Sequence, residues 1–349
     1  MKAGVVHAKD DIRYEDIEKP VPKAGQVLIK VKYTGICGSD VPRVNADACH
    51  YFPNVLGHEF SGVVEAVGEG VTKVKIGSRV SGVPLVPCMK CEDCQKGDYS
   101  LCRHYSFIGS REFGSFAEYV VVPEQNAVPF DDTVTFEQGA FFEPATVALH
   151  GLKRVPYKGG KTVAILGGGT IGMFVMQWAK IFGAAQTVVF DITPERLELG
   201  KRLGADGVIN TLEEGFMEKA MALTDGKGFD YVFETAGNTI TMKMAFELAA
   251  NKAHVCFVGT PVKEISFSVK EWENMNRKEF TLTGSWMSYS APFPGEEWKL
   301  VAHYFKTKEL KFDKSFIFKK MPLSQIASAF EMYKTPGTVK GKILIDSEQ

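Results

Sequence analysis

Cys88, Cys91, Cys94 and Cys102 bring four thiol groups into one short stretch of the chain. Tetrahedral zinc takes four soft ligands, and loops with two residues between cysteines bend enough to supply them. Four protein ligands would leave no open position, so a zinc ion held by them would be structural. Disulfides and an iron–sulfur cluster are the alternatives. The spacing predicts a structural zinc site.

A glycine-rich turn offers a second kind of chemistry. Residues 167–172 read Gly-Gly-Gly-Thr-Ile-Gly, which fits the pattern G-x-G-x-x-G. Gly167 would permit a tight turn, Gly169 would let a pyrophosphate approach the backbone, and Gly172 would let the next helix pack closely on the strand. The candidate dinucleotide ligands are Gly167, Gly169, Thr170, Ile171, Gly172, Asp191 and Arg196.

Asp191 lies nineteen residues after Gly172, at the end of the next predicted strand. A carboxylate there accepts hydrogen bonds from both ribose hydroxyls and repels a 2′-phosphate, which favours NAD over NADP. Arg196, a few residues further on, is a cation near this carboxylate. The alternative is an ordinary turn followed by a surface aspartate, and the position of the motif between a strand and a helix disfavours it. The sequence predicts an NAD site.

Cys37, His58 and Glu143 are of the residue types that bind catalytic zinc. Each also has an ordinary explanation. A lone cysteine often packs in a core, a lone histidine is often only a hydrogen-bonding residue, and a glutamate before proline often caps a turn. Spacing alone does not show that the three converge, so both interpretations stay open at this point.

The elements that must position these residues change character along the chain. Up to about residue 145, short β-rich runs at 27–32, 62–67 and 117–122 are separated by glycine and proline. Such a pattern is typical of an antiparallel barrel or sandwich. From about residue 148, apolar strands alternate with helices, which predicts parallel βαβ units.

Length and charge limit the classes of protein. The chain has 349 residues, which suggests about two domains at roughly 150 residues each. The formal net charge is -1, so a general nucleic-acid surface is excluded. No apolar run approaches the roughly 18 residues that cross a bilayer, and the N-terminus lacks the apolar core of a signal peptide. We expect a cytoplasmic protein without nucleic-acid or membrane partners.

The motifs also occur in a familiar order. The segment Cys37-Gly38-Ser39-Asp40, the triplet Gly57-His58-Glu59, the four-cysteine lobe and the glycine-rich turn resemble the zinc-dependent medium-chain alcohol and polyol dehydrogenases over essentially the whole chain. The resemblance implies an α/β Rossmann domain with a parallel sheet, inserted into a mainly-β GroES-like barrel domain. The implied boundaries are 1–147 and 285–349 for the GroES-like domain, 148–284 for the Rossmann domain, and about 86–104 for the structural zinc lobe.

The resemblance assigns roles to single residues. Cys37, His58 and Glu143 would hold a catalytic zinc with one open position, and Glu59 would lie near the metal and exchange with water. Ser39 would take the proton of the alcohol. With the lobe, the expected content is two zinc ions per chain, one catalytic and one structural, and NAD would accept the hydride.

Two departures from the family pattern bear on mechanism and substrate. Classical alcohol dehydrogenases have a histidine as outer proton relay where this chain has Pro42, so the proton must leave through ribose, water or Glu59. Sorbitol dehydrogenases carry an Arg-Tyr pair in the segment that in this chain contains Trp286, and the pair is absent. A phosphorylated polyol is therefore favoured over a free hexitol.

The stretches at 37–43, 50–62, 107–111 and 284–298 are most similar to family members that oxidise sugar-alcohol phosphates. The resemblance implies oxidation of galactitol 1-phosphate to tagatose 6-phosphate. Alternatives are a pentitol phosphate such as D-arabitol 1-phosphate, an unphosphorylated polyol, a zinc-free quinone reductase, and an NAD-binding protein without turnover. The family habit implies a homo-oligomer, either a dimer or a tetramer.

A substrate phosphate requires cations near the site. Arg43 is the first candidate, because a guanidinium group can hold a phosphate through two hydrogen bonds, and His50 and Arg111 follow. Surface arginines usually face only water, so that explanation stays open for each of them. Aromatic residues could line the polyol channel, although they more often serve in packing. The aromatic candidates are Tyr51, Trp286 and Tyr289, and the cysteines without an assigned role are Cys49 and Cys256.

Overall fold

The computed structural model describes residues 1–348. These residues form two compact units. The first, called the β-rich unit, contains Met1–Glu143, Tyr289–Lys308 and the segment that begins at Lys314. The second, the parallel-sheet unit, contains Pro144–Ser288 and Glu309–Asp313. The boundaries expected from the sequence lie four residues from these divisions at each end, and the short return at Glu309–Asp313 was not expected.

Short strands and helices build both units. In chain order, the strands are β1 (Lys2–Ala8), β2 (Asp11–Asp16), β3 (Gln26–Gly35), β4 (Asn54–Val55), β5 (Glu59–Val67), β6 (Arg79–Gly82), β7 (Leu85–Val86), β8 (Ser106–Phe107), β9 (Tyr119–Pro123), β10 (Ala127–Pro129), β11 (Thr162–Leu166), β12 (Gln186–Asp191), β13 (Gly207–Asn210), β14 (Phe229–Glu234), β15 (Ala249–Phe257), β16 (Thr281–Gly284), β17 (Ile317–Pro322) and β18 (Lys342–Asp346). The α-helices are α1 (Asp40–Asn45), α2 (Glu92–Lys96), α3 (Phe136–Ala140), α4 (Phe142–Lys153), α5 (Thr170–Ile181), α6 (Pro194–Leu203), α7 (Phe216–Ala222), α8 (Thr239–Leu248), α9 (Val269–Lys278), α10 (Glu296–Thr307) and α11 (Ile326–Glu331).

The β-rich unit is organised around β3. Its main sheet has the order β10-β6-β5-β3-β18-β17, and β9 also pairs with β3. All of these pairs are antiparallel except β17 with β18. Val27, Ile29 and Val31 are fully buried and belong to the same apolar cluster as Phe60, as β-branched residues on a covered sheet face should be. The prediction of a mainly-β domain is confirmed.

The parallel-sheet unit contains one six-stranded sheet in the order β13-β12-β11-β14-β15-β16. Every pair in it is parallel. Residues 163–166 of β11 are fully buried, because a central strand covered by helices on both faces is apolar throughout. The predicted parallel sheet is therefore confirmed.

The chain direction places the glycine-rich turn at the carboxyl edge of this sheet, directly after β11. The strand order reverses at β11, with β12 on one side and β14 on the other. Open sheets of this kind bind ligands outside the carboxyl ends of the strands at such a reversal. Among residues 1–348, none of the helices combines the length and apolar character that a membrane span requires.

Candidate metal and dinucleotide sites

The sulfurs of Cys88, Cys91, Cys94 and Cys102 all lie within 4.8 Å of one another. The Cys88–Cys94 and Cys91–Cys102 sulfur pairs are 4.0 and 3.8 Å apart. Four sulfurs at about 2.3 Å from a tetrahedral zinc ion would be about 3.8 Å apart, whereas a disulfide requires about 2.05 Å. The donor set and its spacing therefore fit a zinc ion.

Local backbone structure holds the four sulfurs in this arrangement. Cys91 precedes the short helix α2, and Gly97 ends that helix in the left-handed conformation at a φ of 87°. A hydrogen bond from the backbone of Lys90 lowers the pKa of Cys88 to about 6, whereas burial raises the pKa of Cys94. A metal ion would supply the positive charge that four neighbouring thiolates need.

A second group of ligand atoms comes from Cys37, His58 and Glu59, which also lie within 4.8 Å of one another. The pairing of β3 with β5 explains this meeting. Gly35, the last residue of β3, lies opposite Glu59, the first residue of β5. Cys37 follows one strand and His58 precedes the other, so the antiparallel register brings the two side chains to the same edge of the sheet.

Asp40 orients the histidine of this group. Its carboxylate is fully buried, and Oδ1 lies 3.3 Å from Nδ1 of His58. Oδ2 accepts a hydrogen bond of 3.1 Å from the backbone N–H of Cys37. Burial alone would lower the pKa of His58, but the charges of Asp40 and Cys37 outweigh it and raise that pKa well above its usual value. A carboxylate on Nδ1 leaves Nε2 available to a metal.

Lys342 is a site residue that sequence reasoning missed. Its Nζ lies 2.5 Å from Oε2 of Glu59 and donates to the carbonyl oxygen of Ile36 at 3.3 Å. Burial would lower the pKa of Lys342, but the charges of Glu59 and Cys37 raise it. Gly35 leaves room for this pair, because a Cβ there would stand 2.6 Å from both side chains. The one available indication in the sequence was a lysine directly before the three apolar residues 343–345 of β18.

Glu143 lies near this group without being one of its three members. It sits in the first turn of α4 and is only partly exposed. Removal from water raises its pKa to about 7, and the charge of Glu59 adds to this effect. The opposite charges of His58 and Lys342 act against it. The metal-ligand group therefore has two candidate carboxylates, Glu59 within the group and Glu143 beside it.

Ser39 and Arg43 lie beside the metal-ligand group. Ser39 Oγ donates to the sulfur of Cys37 at 3.3 Å. Arg43 Nη1 donates to the carbonyl oxygen and to Oγ of Ser39, at 2.8 and 3.0 Å, and lies 3.6 Å from Asp40. The guanidinium group of Arg43 is thus held at the start of α1, next to Ser39, the predicted proton acceptor.

The structure brings the other predicted phosphate contacts towards Arg43. His50 is exposed, and burial of part of its ring, followed by the charges of Arg111 and Arg43, lowers its pKa. The guanidinium of Arg111 lies 4.6 Å from the centre of the Tyr105 ring. The charges of both arginines therefore act on His50, although the Arg43 side chain is only 19% exposed.

The three aromatic candidates differ in their surroundings. Tyr51 is 39% exposed, in the same loop as His50. Trp286 is 53% exposed and belongs to the parallel-sheet unit. Tyr289 is only 3% exposed and stacks on Phe293 and Trp298, which is the environment of a packing residue.

The glycine-rich turn has the geometry that a bound pyrophosphate needs. Gly167 has a φ of +105°, a conformation that favours glycine. A Cβ on Gly172 would lie 1.9 Å from the carbonyl oxygen of Gly167, so α5 could not pack this closely with any other residue. A Cβ on Gly169 would meet no atom within 4 Å, which leaves open space in front of the first turn of α5, where Thr170 and Ile171 lie.

Asp191 lies next to the same turn. Its side chain is buried, and its two oxygens accept hydrogen bonds from the backbone N–H groups of Gly168 at 2.7 Å and Thr193 at 2.8 Å. Arg196 Nη1 lies 3.6 Å from Oδ2 of Asp191. The structure therefore brings the predicted dinucleotide residues together at one edge of the sheet.

Comparison with known proteins extends these findings. The family model of the alcohol dehydrogenase GroES-like domain matches residues 23–132, and that of the zinc-binding dehydrogenases matches residues 170–303. Galactitol 1-phosphate 5-dehydrogenase of Escherichia coli (strain K12) is 38% identical over 299 residues, which cover 86% of each chain. D-arabitol-phosphate dehydrogenase of Enterococcus avium is 32% identical over 343 residues, which cover 97% of this chain and 94% of that protein.

A solved structure is also similar over the full length. The crystal structure of galactitol-1-phosphate dehydrogenase from Escherichia coli matches with a TM-score of 0.93 at 36% identity, and the match covers 99% of this chain and 100% of that one. The two matching family models together span well over half of the chain. The chain therefore belongs to the zinc-dependent medium-chain alcohol and polyol dehydrogenases, and its two units have the GroES-like and Rossmann folds of that family.

Proposed function

We propose that this chain oxidises a secondary hydroxyl of a sugar-alcohol phosphate to a ketone and transfers the hydride to NAD. The most specific form of the proposal is galactitol 1-phosphate to tagatose 6-phosphate. The observation that carries it is the convergence of Cys37, His58 and Glu59 beside the hydroxyl of Ser39. This arrangement supplies metal ligands and a proton acceptor at one place.

Two metal sites follow from the two donor sets. Cys37 and His58, with Glu143 or Glu59 as the third ligand, would hold a catalytic zinc with one open position. Cys88, Cys91, Cys94 and Cys102 would hold a structural zinc without one. When bound, the catalytic zinc acts as a Lewis acid that lowers the pKa of the substrate hydroxyl, and NAD accepts the hydride.

The chain's own residues then handle the proton and hold the ligands in place. Ser39 Oγ accepts the proton of the alcohol and passes its own hydroxyl proton on, while Arg43 Nη1 donates to Oγ and so holds the Ser39 side chain in position. Asp40 fixes the ring of His58, and Lys342 fixes the carboxylate of Glu59. Because Pro42 has no proton to relay, the exit runs through Glu59, water or ribose.

Cationic side chains of the β-rich unit support the proposal that the substrate carries a phosphate. Arg43, His50 and Arg111 would bind it, since Arg43 and Arg111 both act on the pKa of His50 and so lie near it. Two of the relatives named above act, by name, on sugar-alcohol phosphates. Tyr51 and Trp286 are exposed enough to contact a polyol, whereas the burial of Tyr289 favours a packing role.

The choice of NAD rests on Asp191. A 2′-phosphate next to this buried carboxylate would be repelled, and Arg196 is already 3.6 Å from it. D-arabitol 1-phosphate is the second candidate substrate, because its named relative matches 97% of this chain. We further propose that the protein is a cytoplasmic homo-oligomer, a dimer or tetramer.

One assay tests the proposal. NADH formation is measured with galactitol 1-phosphate, D-arabitol 1-phosphate, free galactitol and sorbitol, each with and without a zinc chelator, and repeated with NADP. We expect the largest kcat/KM with galactitol 1-phosphate and NAD, and loss of turnover after chelation. Higher kcat/KM with free polyols would reject the phosphate, and NADH binding without turnover of any substrate would reject the enzyme.

A further inference from the structure

Glu234 is a fully buried carboxylate at the carboxyl end of β14, and none of the steps above uses it. Burial raises its pKa, with the hydroxyl of Thr241 and nearby backbone N–H groups acting in the opposite direction. A buried carboxylate is costly unless hydrogen bonds satisfy it. β14 is the neighbour of β11, where the strand order reverses, so the hydrogen-bond partners of Glu234 lie next to the expected ligand site.

The carboxylate binds the turn that follows its own strand. Oε1 accepts hydrogen bonds of 2.9 Å from the backbone N–H groups of Ala236 and Gly237, and the hydroxyl of Thr241 lies 2.8 Å away. Oε2 lies 3.2 Å from the N–H of Gly237. These contacts turn two backbone donors of residues 235–238 inward and fix the path of the chain into α8.

The same turn lies against the glycine-rich turn. Thr235 Oγ1 lies 3.0 Å from the carbonyl oxygens of Leu166 and Gly167. A Cβ on Gly167 would lie 3.0 Å from Cβ of Ala236 and 3.1 Å from its backbone nitrogen. The backbone of Gly167 is therefore braced from one side by residues 235 and 236.

A third segment, residues 259 and 260, packs closely against the same turn. A Cβ on Gly259 would lie 2.2 Å from the nitrogen of Gly237 and 2.6 Å from Oε2 of Glu234. A Cβ on Gly237, whose φ is +63°, would lie 2.5 Å from the carbonyl oxygen of Thr260. Two loops at the carboxyl edge of the sheet thus meet at the carboxylate of Glu234, and one of them, residues 235–238, also contacts the glycine-rich turn.

We propose that Glu234 is a positioning residue for dinucleotide binding, because its carboxylate fixes the turn at residues 235–238 against the glycine-rich turn. The inference rests on the proposed function, since it takes the glycine-rich turn as the NAD site. Glu234 itself does not touch the reacting atoms. It acts through Thr235 and Gly167, so its loss weakens cofactor binding and leaves the metal-ligand group of the β-rich unit unchanged.

The test measures the Kd of NADH by fluorescence titration of the full-length protein, together with Tm. We expect Glu234→Ala to raise the Kd at least tenfold and Glu234→Gln, which keeps one acceptor oxygen, to raise it about threefold. Thr235→Val breaks the same connection from the other side and should raise the Kd as well. Zinc content and kcat at saturating NAD should stay at the wild-type value in all three.

Phe246→Leu is the matched control. Phe246 is 1% exposed in α8, within the apolar core of the same unit and away from the turn. Phe246→Leu should lower Tm by about as much as Glu234→Ala does, but it should not change the Kd of NADH. If Glu234→Ala does not fold, the Kd values of Glu234→Gln and Thr235→Val decide.

The outcomes separate the inference from the proposed function. Folded Glu234 and Thr235 variants that bind NADH within twofold of wild type would overturn the inference, as would an equal change in Phe246→Leu. Wild-type protein that binds no NADH would overturn the proposed function and the inference with it. Wild-type protein that binds NADH but oxidises no polyol phosphate would reject only the function.

Discussion

The β-rich unit contains two metal-ligand groups that the chain assembles in different ways. The four-cysteine lobe takes all its ligands from residues 88–102, where a short helix and a left-handed glycine bring the sulfurs together. The group around Cys37 and His58 is assembled by the pairing of two strands and completed by Lys342 from the last strand. The first group would hold a metal with ligands from one short stretch of chain, whereas the ligands of the second group come together only in the folded sheet.

This difference has chemical consequences. Four thiolates fill the coordination shell of zinc and leave nothing for a substrate. The second group offers one sulfur, one imidazole and two candidate carboxylate ligands, Glu59 and Glu143, and it has Ser39 and Arg43 at its edge. Loss of the lobe's metal should therefore act on stability, and changes at the second group should act on activity.

Removal of the sulfur ligand in the open group should have the largest effect. Cys37→Ser should lower kcat/KM by more than about a thousandfold and remove one of two zinc ions, because the substrate hydroxyl then loses its Lewis acid. Elemental analysis and NADH formation measure both changes. Cys49→Ser is the matched control, since Cys49 is a partly exposed thiol outside both groups. Active Cys37→Ser protein would contradict the assignment.

Breaking the closed group should have a different signature. Cys91→Ser should remove the other zinc ion and lower Tm by at least about 10 °C, because metal binding in a structural site is coupled to folding. At temperatures where the variant stays folded, kcat should remain within a few-fold of wild type. A loss of kcat as large as that of Cys37→Ser, without loss of structure, would show that the two groups are not separate in function.

The pair formed by Lys342 and Glu59 provides a third test, because the chain contains an exposed counterpart. Lys320 and Glu137 also approach to 2.5 Å, but their side chains are 46% and 24% exposed, against 9% and 2% for Lys342 and Glu59. Lys342→Met leaves a buried carboxylate without its partner and should lower the free energy of unfolding by about 4 kcal/mol. Lys320→Met should cost less than about 1 kcal/mol. If urea unfolding gave equal losses of free energy for the two variants, burial would not be what makes the Lys342–Glu59 pair important for stability.

The contrast between local and long-range assembly also explains which features could be predicted from the sequence. The cysteine lobe and the glycine-rich turn are local patterns, so their spacing was enough to predict them, and the parallel sheet followed from the alternation of strands and helices. The roles of Asp40, Lys342 and Glu234 were not predicted. Lys342 bonds to a residue 306 positions away, and only the pairing of β18 with β3 brings the two together. A buried charge looks like any surface charge until the packing is known.

Glu143 gives a pH test of the open group without metal. Its pKa of about 7 in the folded chain exceeds the ordinary value of 4.5. The protonated form therefore favours the folded state, so this contribution is fully present below about pH 4.5 and is lost as the pH rises through about 7. Because the side chain is partly open to water, we expect chelator-treated protein to lose about 2 kcal/mol between pH 5 and 8. Glu143→Gln should remove this dependence, and an unchanged dependence would assign it to another group.

Arg43 and Arg103 make the smallest and most specific test, because each lies beside one of the two metal-ligand groups. Arg43 is held on Ser39 next to the open group, whereas Arg103 lies on the lobe with an 80% exposed side chain, 3.6 Å from Asp93. Arg43→Ala should raise the KM for galactitol 1-phosphate more than tenfold, about 1.4 kcal/mol, with the KM for NAD unchanged. Arg103→Ala should change neither KM.

A free polyol separates the two contacts of Arg43. Since Arg43 also donates to Ser39, its loss can lower kcat with every substrate, but only the phosphorylated substrate loses binding energy through its phosphate. The expected result is therefore a rise in KM with galactitol 1-phosphate and no rise with galactitol. If the KM for galactitol 1-phosphate did not change, the phosphate would bind elsewhere, and the role of Arg43 would be limited to positioning Ser39.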